Sequence, residues 1–167
     1  MADQEREELI SILANQRELF RITVRGIDDE QARRRTTASE LTLGGLLHHL
    51  ISCERHWITV LTERDENAQL DVSRFEGEYL MAEGETVEGL LAEWDEAAAA
   101  TAELIRTVDS LDTSVPTPTA PWSPEREWWT VRYTLLHILR EISHHSGHAD
   151  IIREELDGAN TTYSRIA

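Results

Sequence analysis

Four side chains near the end of this sequence have the types and spacing of a metal site. His137, Glu141, His145 and His148 follow one another at intervals of four, four and three residues. A helix turns about 100° per residue, so these intervals keep all four within a stripe about 80° wide. Glu141 and His145, one turn apart, can point at a common atom and offer two ligands from one helix. A third ligand has to come from another element. With His144, four of the seven histidines lie here, and the other three, His48, His49 and His56, are confined to one further stretch.

Two helices must therefore face each other. Residues 128–158, WWTVRYTLLHILREISHHSGHADIIREELDG, read as one long amphipathic helix. Leu135, Ile138, Leu139, Ile142 and Ala149 lie beside the His/Glu stripe and should pack inward. Residues 41–61, LTLGGLLHHLISCERHWITVL, predict a second helix, starting near Thr42 as N-cap and reaching about Glu63. Its core stripe is Leu43, Leu46, Leu50, Cys53, Trp57 and Leu61. His49 sits at the margin of that stripe, about 100° from Leu50, which makes it the first choice for the third ligand. His56, two turns on, is the second choice. His48 should point to solvent. Glu54 faces the far side of the stripe and can hydrogen-bond within the bundle. His137 is placed to orient a ligand, His144 to lie exposed beside the stripe. Cys53 reads as a small core residue, since no basic group flanks it.

The remaining chain supplies two more helices. Residues 3–25 form the first, with Asp3 as a cap, Leu9, Ile12, Leu13, Phe20 and Val24 buried, and Gly26 as the stop. IDDEQARRR is a short polar helix or turn; its Arg33–Arg35 run is either a solvated turn or an anion contact. Thr86 to Val108 form the third long helix, with Leu90, Leu91, Trp94, Ala98, Leu104 and Ile105 apolar, and an AAAA run at 97–100 that fits a close helix approach. Residues 64–85 lack periodicity and form a crossover or a functional flap. Residues 109–127 hold all four prolines and should be extended. Trp122, Trp128 and Trp129 could wall a pocket or plug the bundle end. The expectation is an all-α four-helix bundle with two long crossing connections, a single domain over residues 1–167.

Composition narrows the function. The formal net charge is -16, which repels phosphate backbones and argues against nucleic-acid binding. There is no lysine, so Schiff-base chemistry and a P-loop lysine are excluded. No apolar run is long enough for a membrane span, no signal peptide is evident, and the one cysteine cannot form an internal disulfide. A cytoplasmic protein follows.

GLLHHLISCERHW, followed far downstream by WTVRYTLLHILREISHHSGHADIIRE, resembles the DinB-like superfamily. The likeness is to the branch of small actinobacterial proteins related to mycothiol-dependent maleylpyruvate isomerase. The resemblance implies a DinB-type four-helix bundle holding a divalent metal on three side chains. Carried over, these fall on His49, immediately before Leu50, on Glu141, and on His145 beside the Ser-Gly pair. Many relatives have His where Glu141 stands; the maleylpyruvate isomerase branch resembles this chain in having Glu there. His148 stands where relatives often have Gln, and is a candidate fourth ligand or catalytic base. The resemblance also implies a thiol-dependent transferase or isomerase, with mycothiol as thiol cosubstrate, and makes a homodimer the expected assembly.

Two imidazoles and a carboxylate leave coordination positions open, as in catalytic sites. Zn is the first expectation for such donors, with Ni, Fe or Mn also suited. An open divalent ion could ionise a thiol or activate a water. Three readings follow: a thiol-dependent S-transferase or isomerase acting on a small electrophile, a thiol-independent metal hydrolase, and a non-catalytic metal-binding stress-response protein.

Overall fold

The computed structural model describes residues 2–165, and all their side chains except those of Ala2 and Arg74. The chain forms α1 (Ala2–Val24), a short α2 (Asp29–Arg33), α3 (Leu43–Glu63), α4 (Val87–Thr107), α5 (Val131–Asp157) and a terminal turn α6 (Thr161–Ser164). A 3-10 turn spans Val72–Phe75, and β1 (Ser114–Pro116) pairs antiparallel with β2 (Trp128–Thr130). Threonines start three of the long helices. Thr42, Thr86 and Thr130 accept from the backbone N–H three residues on, at 3.1, 3.0 and 3.1 Å. Gly26 and Gly158, at φ +73 and +81, end α1 and α5 in the left-handed region that glycine adopts freely.

Cross-helix contacts fix the topology. Arg6 bonds carbonyls near the end of α4 while Arg21 reaches Asp95 nearer its start, so α1 and α4 are antiparallel. Ser143 donates to Gln16 and Arg153 to the Thr23 carbonyl, so α5 runs alongside α1 in the same direction. Arg55 pairs with Glu93 at 2.5 Å, and His48 near the head of α3 meets Glu85 just before α4. Helices α3 and α4 are therefore parallel, in an up-down-down-up bundle. This is the all-α four-helix bundle expected above, but with one long crossing connection rather than two: residues 108–130 join the neighbouring ends of antiparallel α4 and α5, where the Arg132 N–H donates to the Leu111 carbonyl. Residues 64–86 must return the length of α3, which accounts for their length. The core between the helices is built on Leu13, Phe20, Leu46, Leu50, Leu90, Trp94, Leu135 and Ile138, with Phe20 edge-on to Trp94 at 5.4 Å.

Several local expectations change. Asp3 lies inside the first turn of α1 rather than before it, where its charge favours the positive helix end. Ile12 is exposed, because the buried stripe runs through Leu13, Arg17, Phe20 and Val24, and Ile12 lies about 100° round the helix from Leu13. Trp128 and Trp129 stand in β2, not in the helix; aromatic and β-branched residues pair there with Ser-Val-Pro, and Thr130 then caps α5. The arginine run is structural: Arg33 donates to the Ala82 and Glu85 carbonyls and Arg35 to those of Ala38 and Ser39.

Candidate metal and substrate site

Antiparallel packing of α3 on α5 brings the two histidine groups together. The rings of His49 and His145 meet edge to face at 4.8 Å. His49, Glu141 and His145 each offer a ligand atom, and these atoms lie within 4.8 Å of one another. His145 Nε2 is 3.8 Å from Glu141 Oε2. Both imidazoles are buried and the carboxylate is half-buried, so donors of the right chemistry converge where the bundle opens.

Two residues that sequence reasoning missed complete this cluster. The crossover lays Glu78 and Tyr79 on the head of α3. Glu78, itself buried, accepts from His49 Nδ1 at 3.2 Å, leaving Nε2 as the unprotonated nitrogen. Tyr79 stacks on His49 at 4.3 Å, its hydroxyl 3.5 Å from that Nε2. A signal for this docking was in the sequence. Gly44 and Gly45 open α3 at a cost in helix propensity. A Cβ on Gly45 would lie 1.9 Å from the Tyr79 carbonyl oxygen, and one on Gly44 would lie 2.5 Å from Met81 Sδ. Glycine there admits the crossover backbone.

On the α5 side, His145 Nδ1 lies 3.2 Å from His148 Nδ1. For His145 Nε2 to bind an ion, its Nδ1–H must donate to His148. His148 thus stands behind His145, and His144, exposed, joins the same pair on the outer side. His137 packs edge-on to Trp57 at 4.9 Å, and its Nδ1 accepts from Arg140 at 2.7 Å. Arg140 also donates to Glu141 at 3.1 Å. His48 is half-buried rather than free in solvent, its Nδ1 donating to Glu85 at 2.9 Å. It lies in a different surface recess from the cluster.

Protonation states suit a metal. Burial pushes His49 below its ordinary pKa, with the Glu78 carboxylate acting against it. Burial, then the neighbouring His49, push His145 down to about 4. His137 is lowered by burial and then by Arg140. Burial opposes the charge of Glu141, but the Arg140 hydrogen bond and the nearby imidazoles hold it below the usual carboxylate range. At neutral pH the site offers neutral imidazoles and an ionised carboxylate, with no proton to displace.

A cavity of about 290 Å³ opens beside the cluster. His49, Glu78, His137 and Glu141 line it together with Cys53, His56, Trp57, Phe75 and Trp122. The crossover therefore also supplies part of the cavity wall. Trp122 walls the pocket, as one of the two readings held, while Trp129 stacks behind Trp57 at 4.9 Å. Cys53 touches the cavity, but burial and then the Glu141 charge push its thiol up to about 12. It is no nucleophile at neutral pH.

The family model described as Mycothiol-S-transferase matches residues 8–158. Among solved structures, the "conserved protein of locus from Enterococcus faecalis" superposes with a TM-score of 0.68 at 16% identity, covering 92% of this chain and 97% of that one. That likeness shows the fold alone. No curated protein matches.

Proposed function

The chain belongs to the mycothiol S-transferase family, and we propose that it is a divalent-metal-dependent enzyme using mycothiol, or a thiol of that type, to attack a small electrophile in S-transfer or isomerisation. The observation that carries this reading is the meeting of His49, Glu141 and His145 at the edge of a cavity whose own cysteine is held protonated. A reacting sulfur brought by a small thiol, as the family's description implies, agrees with that.

We assign His49, Glu141 and His145 as the ligands, Zn as the first choice of ion, and Ni, Fe or Mn as alternatives. When bound, the ion supplies the Lewis acidity that keeps a thiol ionised at neutral pH. The protein's groups do the rest. Glu78 fixes the tautomer of His49 from behind. His148 accepts a hydrogen bond from His145 Nδ1–H, and we assign it this positioning role in catalysis. Arg140 holds Glu141 ionised. Tyr79, kept as a neutral phenol by burial and then by the Glu141 charge, can donate a hydrogen bond beside the open face of His49. Phe75 and Trp122 cover the cavity and restrict water.

We also propose a cytoplasmic homodimer that binds neither nucleic acid nor membrane. The net charge of -16 and the exposed apolar Ile12, Leu136 and Ile151 support this. No helix among the described residues is long and apolar enough to cross a membrane. Sedimentation equilibrium showing only monomer would remove the dimer.

Elemental analysis of protein purified without a His-tag or chelator tests the central reading. About one divalent ion per chain is expected, lost in Glu141→Ala, with electrophile consumed only when mycothiol is added. Protein that binds no added Zn, Ni, Fe or Mn would end the metal reading. Turnover without thiol would point to a hydrolase, and bound metal without turnover to a binding protein.

A further inference from the structure

We propose that the electrophile taken by this site is a flat, uncharged aromatic molecule seated against Phe75, Trp122 and Trp57, and that carboxylate-bearing electrophiles are turned away. The proposal rests on the thiol-transferase reading above and adds the substrate class.

The cavity wall is aromatic and held in place. Phe75 comes from the crossover and Trp122 from the connection before α5, and their rings meet at 5.6 Å. Backbone bonds tie these two segments together: Leu70 N–H to the Thr119 carbonyl at 2.8 Å, and Thr119 N–H to that of Ala68 at 3.2 Å. Arg126 adds a bond to the Ala68 carbonyl at 3.0 Å. Yet Phe75 and Trp122 remain 48% and 66% exposed, a large aromatic surface at the cavity mouth. Trp57 adds a third face from α3, held by stacking on Trp129 at an interplanar angle of 15°. A flat ring gains most from such surfaces through offset or edge contacts.

The charges select against anions. The lining holds two carboxylates, Glu78 and Glu141, and among its described residues no lysine or arginine. Arg140, next to Glu141, is 63% exposed and already bonded to His137 and Glu141. The two carboxylates match the charge of a divalent ion, and an ionised thiol tips the site negative. The surrounding net charge of -16 adds long-range repulsion. A substrate carboxylate would be desolvated against aromatic faces with no arginine or lysine among the described lining residues to pair with it. An uncharged ring meets no such cost.

In the reaction, the sulfur lone pair forms a C–S bond at the ring carbon carrying the leaving group. The carbon–halogen bond breaks, its electron pair leaves with the halide, and the thiol proton goes to solvent.

The test uses the metal-loaded protein, mycothiol, and a matched pair, chlorodinitrobenzene and chlorodinitrobenzoate, with chloride release followed. Preference for the uncharged arene is expected. Phe75→Ala and Trp122→Ala should each raise its KM about tenfold, with metal content and mycothiol affinity unchanged. Equal or faster turnover of the benzoate would overturn the proposal while leaving the transferase reading intact. If neither compound reacts, quenching of tryptophan fluorescence still decides the matter. Tighter binding of the uncharged arene, weakened in Trp122→Ala, supports the proposal; tighter binding of the benzoate overturns it.

Discussion

Glu54 and Glu141 are both carboxylates on inward sides of bundle helices, and they serve opposite ends. Glu54, on α3, is fully buried. Its Oε2 accepts from Arg17 Nε at 3.1 Å and from Trp94 Nε1 at 2.9 Å, and its Oε1 accepts from Arg17 Nη2 at 2.5 Å and from the Thr101 hydroxyl. Every lone-pair direction is used by donors from α1 and α4. Glu141, on α5, is half-buried and accepts one hydrogen bond, from Arg140. His137 and His145 stand at 3.9 and 3.8 Å from it, too far for hydrogen bonds. A saturated carboxylate ties three helices together and can take nothing more. An unsaturated one beside a cavity has lone pairs left for a ligand. What distinguishes structure from function here is the remaining coordination capacity, not residue type or helix position.

The comparison breaks most sharply at Glu54. Glu54→Ala leaves Arg17 buried and unpaired, so chemical denaturation should show a loss of about 3–5 kcal/mol. A loss under about 1 kcal/mol would mean that the network is not holding the helices. Glu141→Ala should do the reverse. Metal-free protein should change by less than about 1 kcal/mol, while metal retention collapses in dialysis. A large stability loss without any change in metal content would make the two glutamates alike.

Acid should expose the same asymmetry in the metal-free protein. His145 has a folded pKa of about 4 against an ordinary 6.5, so the unfolded chain takes up the proton first as pH falls. Its share of stability is complete above about pH 6.5 and is lost on going down towards about 4. His145→Ala should flatten the denaturation midpoint over that window; an unchanged slope would contradict the burial argument. Smaller still, Glu78→Gln should weaken metal affinity about tenfold by loosening His49, with the fold unchanged by circular dichroism. Unaltered affinity would reduce Glu78 to a crossover contact. The smallest effect belongs to Cys53. With its thiol near 12, Cys53 should resist iodoacetamide at pH 8 in native protein and react on unfolding, and Cys53→Ser should keep activity. Fast native alkylation, read by mass spectrometry, would show the thiol to be ionised after all.

The sequence by itself determined what local periodicity can encode. Thr42 as a cap, Gly26 as a stop and repeats of three and four placed the long helices within a few residues. The interval from Glu141 to His145 put two donors on one face whatever packed against them. His49 at the margin of a leucine stripe had to emerge beside the core. Only the tertiary structure decided what depends on distant chain segments. Arg17, Trp94 and Thr101 converge on Glu54 from helices far apart in sequence, with no shared period to announce it. Glu78 and Tyr79 come from an aperiodic crossover, and the glycines that admit it report a close approach without naming what approaches. Ser-Val-Pro pairs with Trp-Trp-Thr across a long connection, which takes the tryptophans out of the helix that their position suggested. Local pattern fixes which face a side chain occupies; which partner meets that face is a long-range outcome of packing.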